Sequence, residues 1–423
     1  MSVSSGTVPS ASGGDAVRGI RILDERGGFT APCRVSWGAG VFSLGGRERE
    51  TDLAPTSWGA DELWLIPGLV DAHLHAAWHA FDADDRARLS EAQTLAATER
   101  ALALTLAAGF TSARDAGGLA ADALRTIPPS ARPRTQLSVR IIDRRAADEA
   151  GGLDRAVEAV LEAGARWVKL YGTAGIGSPP GAGLDPVFTA TEVRDAAVRA
   201  ERAGAGVMVH AWGGRAIDDA IEAGALSIEH GIFLSDQQAA RAAERDMTLV
   251  PTLRIYRLVQ RMIDAGSLPA ALRARVDEAV GAHPRAVLRA RDAGLRVALG
   301  TDYGTPQQHG ANAREFDALV GAGLTPGEAL LAATRSGAQL LARVAPPDPA
   351  AVRERTGAPD PAALAGRIVE GAVADGVILR RDPSQPGALS DPESIAAVLL
   401  GGSAIDPAAL RARLIGPAAP SAV

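Results

Sequence analysis

Eight short apolar runs of β type, each followed by a stretch of helical period, occupy the chain from Pro67 to residue 345. The runs are GLVDAHLH, FTSARD, LSVRIID, RWVKLYG, GVMVHAW, LSIEHG, LVPTL and VALGTD. Ala-rich segments lie between them, at 90–107, 152–163, 191–202, 214–223, 235–245 and 272–292. Thr189 and Thr191 both stand where the third of these helices needs an N-cap acceptor. Strands joined by helices pair in parallel, and eight such units close on themselves. The expected fold class is therefore α/β, a (β/α)8 TIM barrel over residues 67–345.

The flanks have a different rhythm. Residues 17–66 contain bursts such as IRILD, CRVSWGAGVFSL and LWLI, broken by Gly-rich turns, which is hairpin material. Residues 346–361 are rich in Pro and Asp and read as a loop. Beyond them GRIVEGAVADGVILRRD and SIAAVLLGGSAI return to strands. Residues 17–66 and 362–423 are thus expected to form one small discontinuous β-sandwich domain. Residues 1–16 lack a basic segment followed by an apolar one and read as a flexible tail, not a signal peptide.

Charge narrows the partners. A net charge of −6 argues against nucleic acid, whose phosphates select basic surfaces. No apolar run approaches the roughly 20 residues of a membrane span. Cys33 is the only cysteine, which excludes an intrachain disulfide and a Cys-rich zinc module. The expectation is a soluble cytoplasmic protein acting on a small molecule or peptide.

Of 44 basic residues, all but Lys169 are arginine. Arginine supplies charge but neither deprotonates nor becomes a nucleophile, so the one retained lysine calls for a chemical reason. Lys169 falls at the end of the fourth strand, His210 at the end of the fifth, His230 at the end of the sixth and Asp302 at the end of the eighth. Asp71, His73 and His75 alternate along the first, so a period of two sets them on one face. The carboxyl ends of barrel strands form the active face. A lone His-x-His is a weak signal, and any one of these histidines could be a satisfied core residue. Their joint placement at strand ends points to a metal site built from imidazole and carboxylate. Arg114 and Asp115 end the second strand and read as a structural ion pair beneath it.

The motifs PGLVDAHLH, GFTSARDAGG, WVKLYG, VMVHAWG, IEHG, VPTL and GTDYG occur in the order of the amidohydrolase superfamily. From about Val17 to its end the chain resembles the imidazolonepropionase-related branch, which contains Xaa-Pro and Xaa-Arg dipeptidases. The resemblance implies two divalent metal ions, zinc first and cobalt or manganese next. His73, His75 and Asp302 would hold one ion and His210 and His230 the other. Lys169, carboxylated by CO2, would bridge them. A carbamate forms only from a neutral amine, so burial must lower the Lys169 pKa. Such a centre supplies hydroxide at neutral pH, with Asp302 acting as base and then acid on an amide bond. A homo-oligomer is a further family expectation.

Substrate contacts are expected from His79, Tyr171, Arg254, Tyr256 and His309, which follow strand ends where barrel loops carry specificity. His283, in the long helical region, reads as structural or exposed. The stretch LYGTAGIGSPPGAG departs from the dipeptidase pattern, and with Pro179–Pro180 it suggests a reshaped mouth. A related amidohydrolase that removes the follower peptide in bottromycin-like maturation makes a biosynthetic role one reading. Two rivals stand beside these. A mononuclear deaminase would need a Glu near HAWGGRAIDD, which has none; a Schiff-base lyase would use Lys169 as nucleophile but leave four histidines unexplained.

Overall fold

A computed structural model of the 423-residue chain describes residues 15–45, 62–80, 83–178, 181–344 and 361–415. The stretch read as a tail (except residues 15 and 16), residues 346–360 of the Pro-rich loop, and Pro179–Pro180 lie outside these.

Both ends of the chain supply strands to one mixed sheet. Strands β1 (Asp15–Ile22), β2 (Cys33–Gly38), β3 (Val41–Gly45) and β4 (Leu63–Pro67) come from the first flank. Strands β14 (Gly376–Leu379), β15 (Ile395–Leu400) and β16 (Ser403–Ile405) come from the last. Their order is β16-β15-β14-β4-β1-β2-β3, so β4 and β14 join the two halves antiparallel. Ala374 ties the far edges together, donating to Gly40 O at 2.8 Å and accepting from Gly402 N at 2.9 Å. The sheet therefore wraps around its own core, in which Ile20, Val35, Trp37, Phe42, Leu65 and Ile378 are buried. The region also holds an α-helix, Pro407–Ile415. It packs on helix Glu91–Ala107, and Arg411 Nη1 donates to Ala107 O at 2.9 Å.

The barrel begins with β5 (Leu69–Leu74) and β6 (Phe110–Asp115), which pair in parallel with each other, as β6 does with β7 (Arg134–Leu137). A second parallel sheet holds β8 (Ile141–Ile142), β9 (Trp167–Tyr171), β10 (Gly206–Ala211), β11 (Ser227–His230), β12 (Thr248–Val250) and β13 (Arg296–Val297). The predicted third strand is thus split, because Val139 adopts a φ of +64° between its halves. The eighth is regular only at Arg296–Val297. It nonetheless closes the barrel on β5: Ala72 N donates to Leu299 O, Thr301 N to His73 O and His75 N to Tyr303 O, at 2.8–3.0 Å. Gly300 permits that approach, since a Cβ there would sit 2.4 Å from Val250 and 2.9 Å from the Cβ of His73.

The expected helices form with small shifts at their ends. Ser90, Thr189 and Ser235 cap Glu91–Ala107, Ala190–Arg202 and Asp236–Glu244, each in a capping box with Gln93, Glu192 or Gln238. After β12, by contrast, the chain enters the helix Leu253–Asp264 at once, so Arg254 and Tyr256 lie on a helix and not on a loop. The pattern of buried Leu253, Ile255, Tyr256, Val259 and Ile263 is the apolar stripe that such a helix requires.

Candidate metal centre

At the carboxyl ends of the barrel strands, the alternation of side chains alone does not assemble the site. Ser227 and Glu229 on β11 share the barrel interior, so His230, one residue on, should face away. Its φ of +70° turns it back. Asp302 (φ +55°) and Thr252 (φ +56°) are bent in the same way at two other strand ends. Non-glycine residues rarely occupy this region, and such strain concentrates at functional sites.

Four imidazoles, Lys169 and Asp302 meet there. His73, His230 and Asp302 offer ligand-type atoms all within 4.8 Å of one another. His75 Nε2 is 3.2 Å and His73 Nε2 3.4 Å from Asp302 Oδ1, and Lys169 Nζ is 3.3 Å from His73 Nε2. The His210 ring lies 4.5 Å from that of His230, its Nε2 buried without a protein partner. The opposite nitrogens are already engaged. His73 Nδ1 bonds Glu229 Oε2 (2.6 Å), His75 Nδ1 bonds Gly117 O (2.8 Å) and His230 Nδ1 bonds Thr252 Oγ1 (2.7 Å). With Nδ1 so held, the Nε2 lone pairs of three rings turn toward a common space shared with a carboxylate. Imidazole nitrogens gathered with a carboxylate, one of them, His210 Nε2, without a protein partner, are a donor set that a divalent cation fits.

Electrostatics agree with ligating forms. Burial first, then Lys169, pushes the His210 imidazole well below its ordinary value; burial and then His210 do the same for His230. Burial would raise Asp302, but His73 and the neighbouring rings hold it well below the ordinary carboxylate range. Burial lowers the Lys169 amine to about 8, against the pull of Glu229 and Asp302. Asp302 keeps solvent access, its side chain 21% exposed, whereas Lys169 and the four histidines are buried.

The ion pair beneath the site differs from the one expected. Arg114 is paired with Glu229, not Asp115. Its Nη2 donates to both Glu229 oxygens at 2.9 and 3.1 Å, Nη1 to Ser227 Oγ, and Nε to Ala72 O, while the guanidinium stacks on Trp167. Asp115 instead accepts from the N–H groups of Ala76, Gly117 and Leu119, so it shapes the loops after β5 and β6. Asp71 shares β5 with His73 but faces another task, accepting from Thr301 N, Thr301 Oγ1 and Asn312 Nδ2. Glu229 was hidden in IEHG by its neighbour His230. Gln308, Asn312 and Glu315 were also missed; as polar residues of the segment after the eighth strand they carried no apolar period to mark them, although all three are buried.

Among the residues expected to touch substrate, Tyr171 stacks on His210 at 4.3 Å and its hydroxyl lies 3.3 Å from Ser178 Oγ. Arg254 Nε donates to Tyr303 OH at 2.6 Å. Tyr256 is buried between Trp212, His230 and His283. His309 is buried with neither ring nitrogen bonded to another protein group, and burial lowers it to about 4. His79 is half-buried beside Trp78, which stacks on His75. Trp78, Ala80, Asp302, Gly304 and Thr305 line a pocket that opens at Asp302. His283 is buried, its Nε2 2.9 Å from His230 O.

A profile described as the Amidohydrolase family matches residues 64–344, and the chain belongs to that family of hydrolases acting on carbon–nitrogen bonds. Uncharacterized proteins of Mycobacterium tuberculosis and Mycobacterium bovis are 32% identical over 287 residues, 65% of this chain and 75% of theirs. Solved structures share the fold. One is an amidohydrolase, 24% identical with a TM-score of 0.77 over 92% of this chain and 98% of that one. Another is a prolidase complexed with N-methylphosphonate-L-proline, 22% identical, TM-score 0.76, over 92% and 98%. A third is the ochratoxinase of A. niger, 21% identical, TM-score 0.76, over 94% and 98%. No helix among the described residues is long and apolar enough to cross a membrane.

Proposed function

We propose that the protein hydrolyses an amide C–N bond in a peptide or N-acylated amino acid, using a binuclear divalent centre. The observation that carries this reading is the set of Nε2 atoms of His73, His75 and His230, backed by bonded Nδ1 atoms, with the partnerless Nε2 of His210 beside them. His73, His75, Asp302, His210, His230 and Lys169 would hold the ions, zinc being the first candidate. When bound, such ions supply Lewis acidity and lower the pKa of water. A Lys169 amine near 8 is neutral in a useful fraction at neutral pH, so it can add CO2, lose a proton and present an anionic oxygen. Asp302, with its solvent access, takes the proton of the attacking water and passes it to the leaving nitrogen. Glu229 holds the ring of His73 in the tautomer that leaves Nε2 free, and Thr252 orients the ring of His230. Tyr171, Arg254, His79, Tyr256 and His309 surround the centre as the substrate-facing set. The reading takes further support from fold relatives described as a prolidase and as a Xaa-Pro dipeptidase with bound methionine.

The test is metal content per chain in protein purified without chelator and with bicarbonate, followed by hydrolysis of dipeptides, N-acyl amino acids and C-terminally extended peptides. Two ions per chain and release of an amine support the proposal. One ion with deamination of a cyclic amidine would replace it with the deaminase. Metal-free protein that is trapped at Lys169 by borohydride with a carbonyl substrate would replace it with the lyase.

A further inference from the structure

The helix Leu253–Asp264 starts in an unusual way. Its N-cap position is Thr252, a residue type that ordinarily accepts from the first free N–H groups of its own helix. Here the Thr252 side chain makes no such bond. Its hydroxyl lies 2.7 Å from His230 Nδ1 instead, and the residue is fully buried in a left-handed conformation. Two free N–H groups at the helix start, one of them at the second position that an N-cap side chain ordinarily serves, are taken from elsewhere. Glu315 Oε1 accepts from Leu253 N at 2.6 Å and Oε2 from Arg254 N at 2.9 Å. Glu315 lies on helix Arg314–Gly321, some sixty positions along the chain, and is itself fully buried. Burial, and after it the charge of Asp71, raises its carboxyl to about 8, while the two N–H groups and Arg254 favour the charge.

We infer that Glu315 is a surrogate cap that frees the Thr252 hydroxyl to orient the metal-ligating ring of His230. Without Glu315, the N–H groups of Leu253 and Arg254 lose their acceptor, and the Thr252 hydroxyl is the local group that can cap Arg254. If Thr252 turned to cap its own helix, His230 Nδ1 would lose its partner and the ring its fixed orientation. Glu315 touches neither substrate nor metal on this account; it is a positioning residue. The inference rests on the reading of His230 as a ligand.

Zinc retention against a chelator series tests it, in wild type, Glu315→Gln, Thr252→Val, Thr252→Ser and the Glu315→Gln/Thr252→Val pair. Thr252→Val is expected to weaken zinc by about 10- to 100-fold, the range for partners that orient ligating histidines. Thr252→Ser keeps the hydroxyl and should stay near wild type. Glu315→Gln, which keeps one acceptor oxygen, is expected to weaken zinc by about 10-fold, the lower end of that range. In the Thr252→Val background it should add less than about 2-fold, because the hydroxyl it protects is gone. Should Glu315→Gln not fold, Glu315→Asp takes its place in the same comparison. Zinc held as tightly by the Glu315 variant as by wild type, even with a lowered melting temperature, would overturn the inference. So would effects that multiply in the pair. Wild type that retains no zinc at all overturns the metal reading itself.

Discussion

Arg114→Met should be among the most damaging single substitutions in the barrel, and the structure sets the size of the effect. Burial pushes Glu229 up, but Arg114 and then His73 overcome it and hold the carboxyl at about 2, against an ordinary 4.5. That depression corresponds to about 3 kcal/mol of folding free energy at neutral pH. A depressed acid stabilises fully above its unfolded value and loses that contribution as pH falls toward about 2. Removing Arg114 leaves a carboxylate with no exposure beside His73 and Ser227, and breaking a buried pair in this way costs about 3–5 kcal/mol. The double variant Arg114→Met/Glu229→Gln removes the stranded charge and should recover about 2 kcal/mol or more over Arg114→Met. Urea unfolding followed by far-ultraviolet circular dichroism at pH 7.5 and 4.5 reads wild type and both variants. A loss below about 1 kcal/mol for Arg114→Met, or a double variant no more stable than that single one, refutes the reasoning.

Asp302→Asn should lower kcat by roughly 10²–10⁴-fold, the contribution of a positioned acid–base group, with a smaller change in KM, measured by steady-state hydrolysis of the best amide. His210→Ala, in contrast, should lose metal as well as rate, read by elemental analysis. Burial holds His309 at about 4, so in acid the unfolded chain takes up a proton that the folded one refuses. Stability should therefore fall as pH drops from about 6.5 toward 4, with this residue's share reaching about 2 kcal/mol at pH 5. His309→Asn should flatten the stability–pH curve between pH 7.5 and 5 by that amount; an unchanged slope would show that His309 is protonated in the folded state.

What could be read ahead of the structure was whatever depends on local period. Apolar runs ending in His, Lys or Asp mark strand ends, and the barrel brings strand ends together whatever its details. That is why His73, Lys169, His210 and Asp302 could be assigned to one place. The parts hidden from that reading depend on single backbone angles or long-range pairing. Alternation puts Glu229 and His230 on opposite faces, and only the positive φ at His230 makes them neighbours in one network. Arg114 stood next to Asp115 in sequence, and adjacency suggested a pair that the opposite orientation of successive strand residues forbids. The third strand looked continuous because Val139 is a good β residue; its left-handed φ carries no signature there. The helix after VPTL did carry one, in the spacing of Leu253, Tyr256, Val259 and Ile263, but the short strand preceding it left no loop between them.

The joint between β4 and β14 also constrains how the chain is made. β4 pairs with residues more than three hundred positions downstream, and it stands at the middle of its sheet, not at an edge. On a ribosome, the first four strands emerge with one ladder face of β4 unsatisfied until the whole barrel has been synthesised. During that interval an apolar strand edge is open to pairing with the wrong partner. Strand β14 then acts as a latch: its arrival closes the sheet, while the helix Pro407–Ile415 clasps the barrel's first long helix. Shortening the chain from its carboxyl end therefore exposes the beginning of the protein, and aggregation of such fragments should start from strands that they still contain.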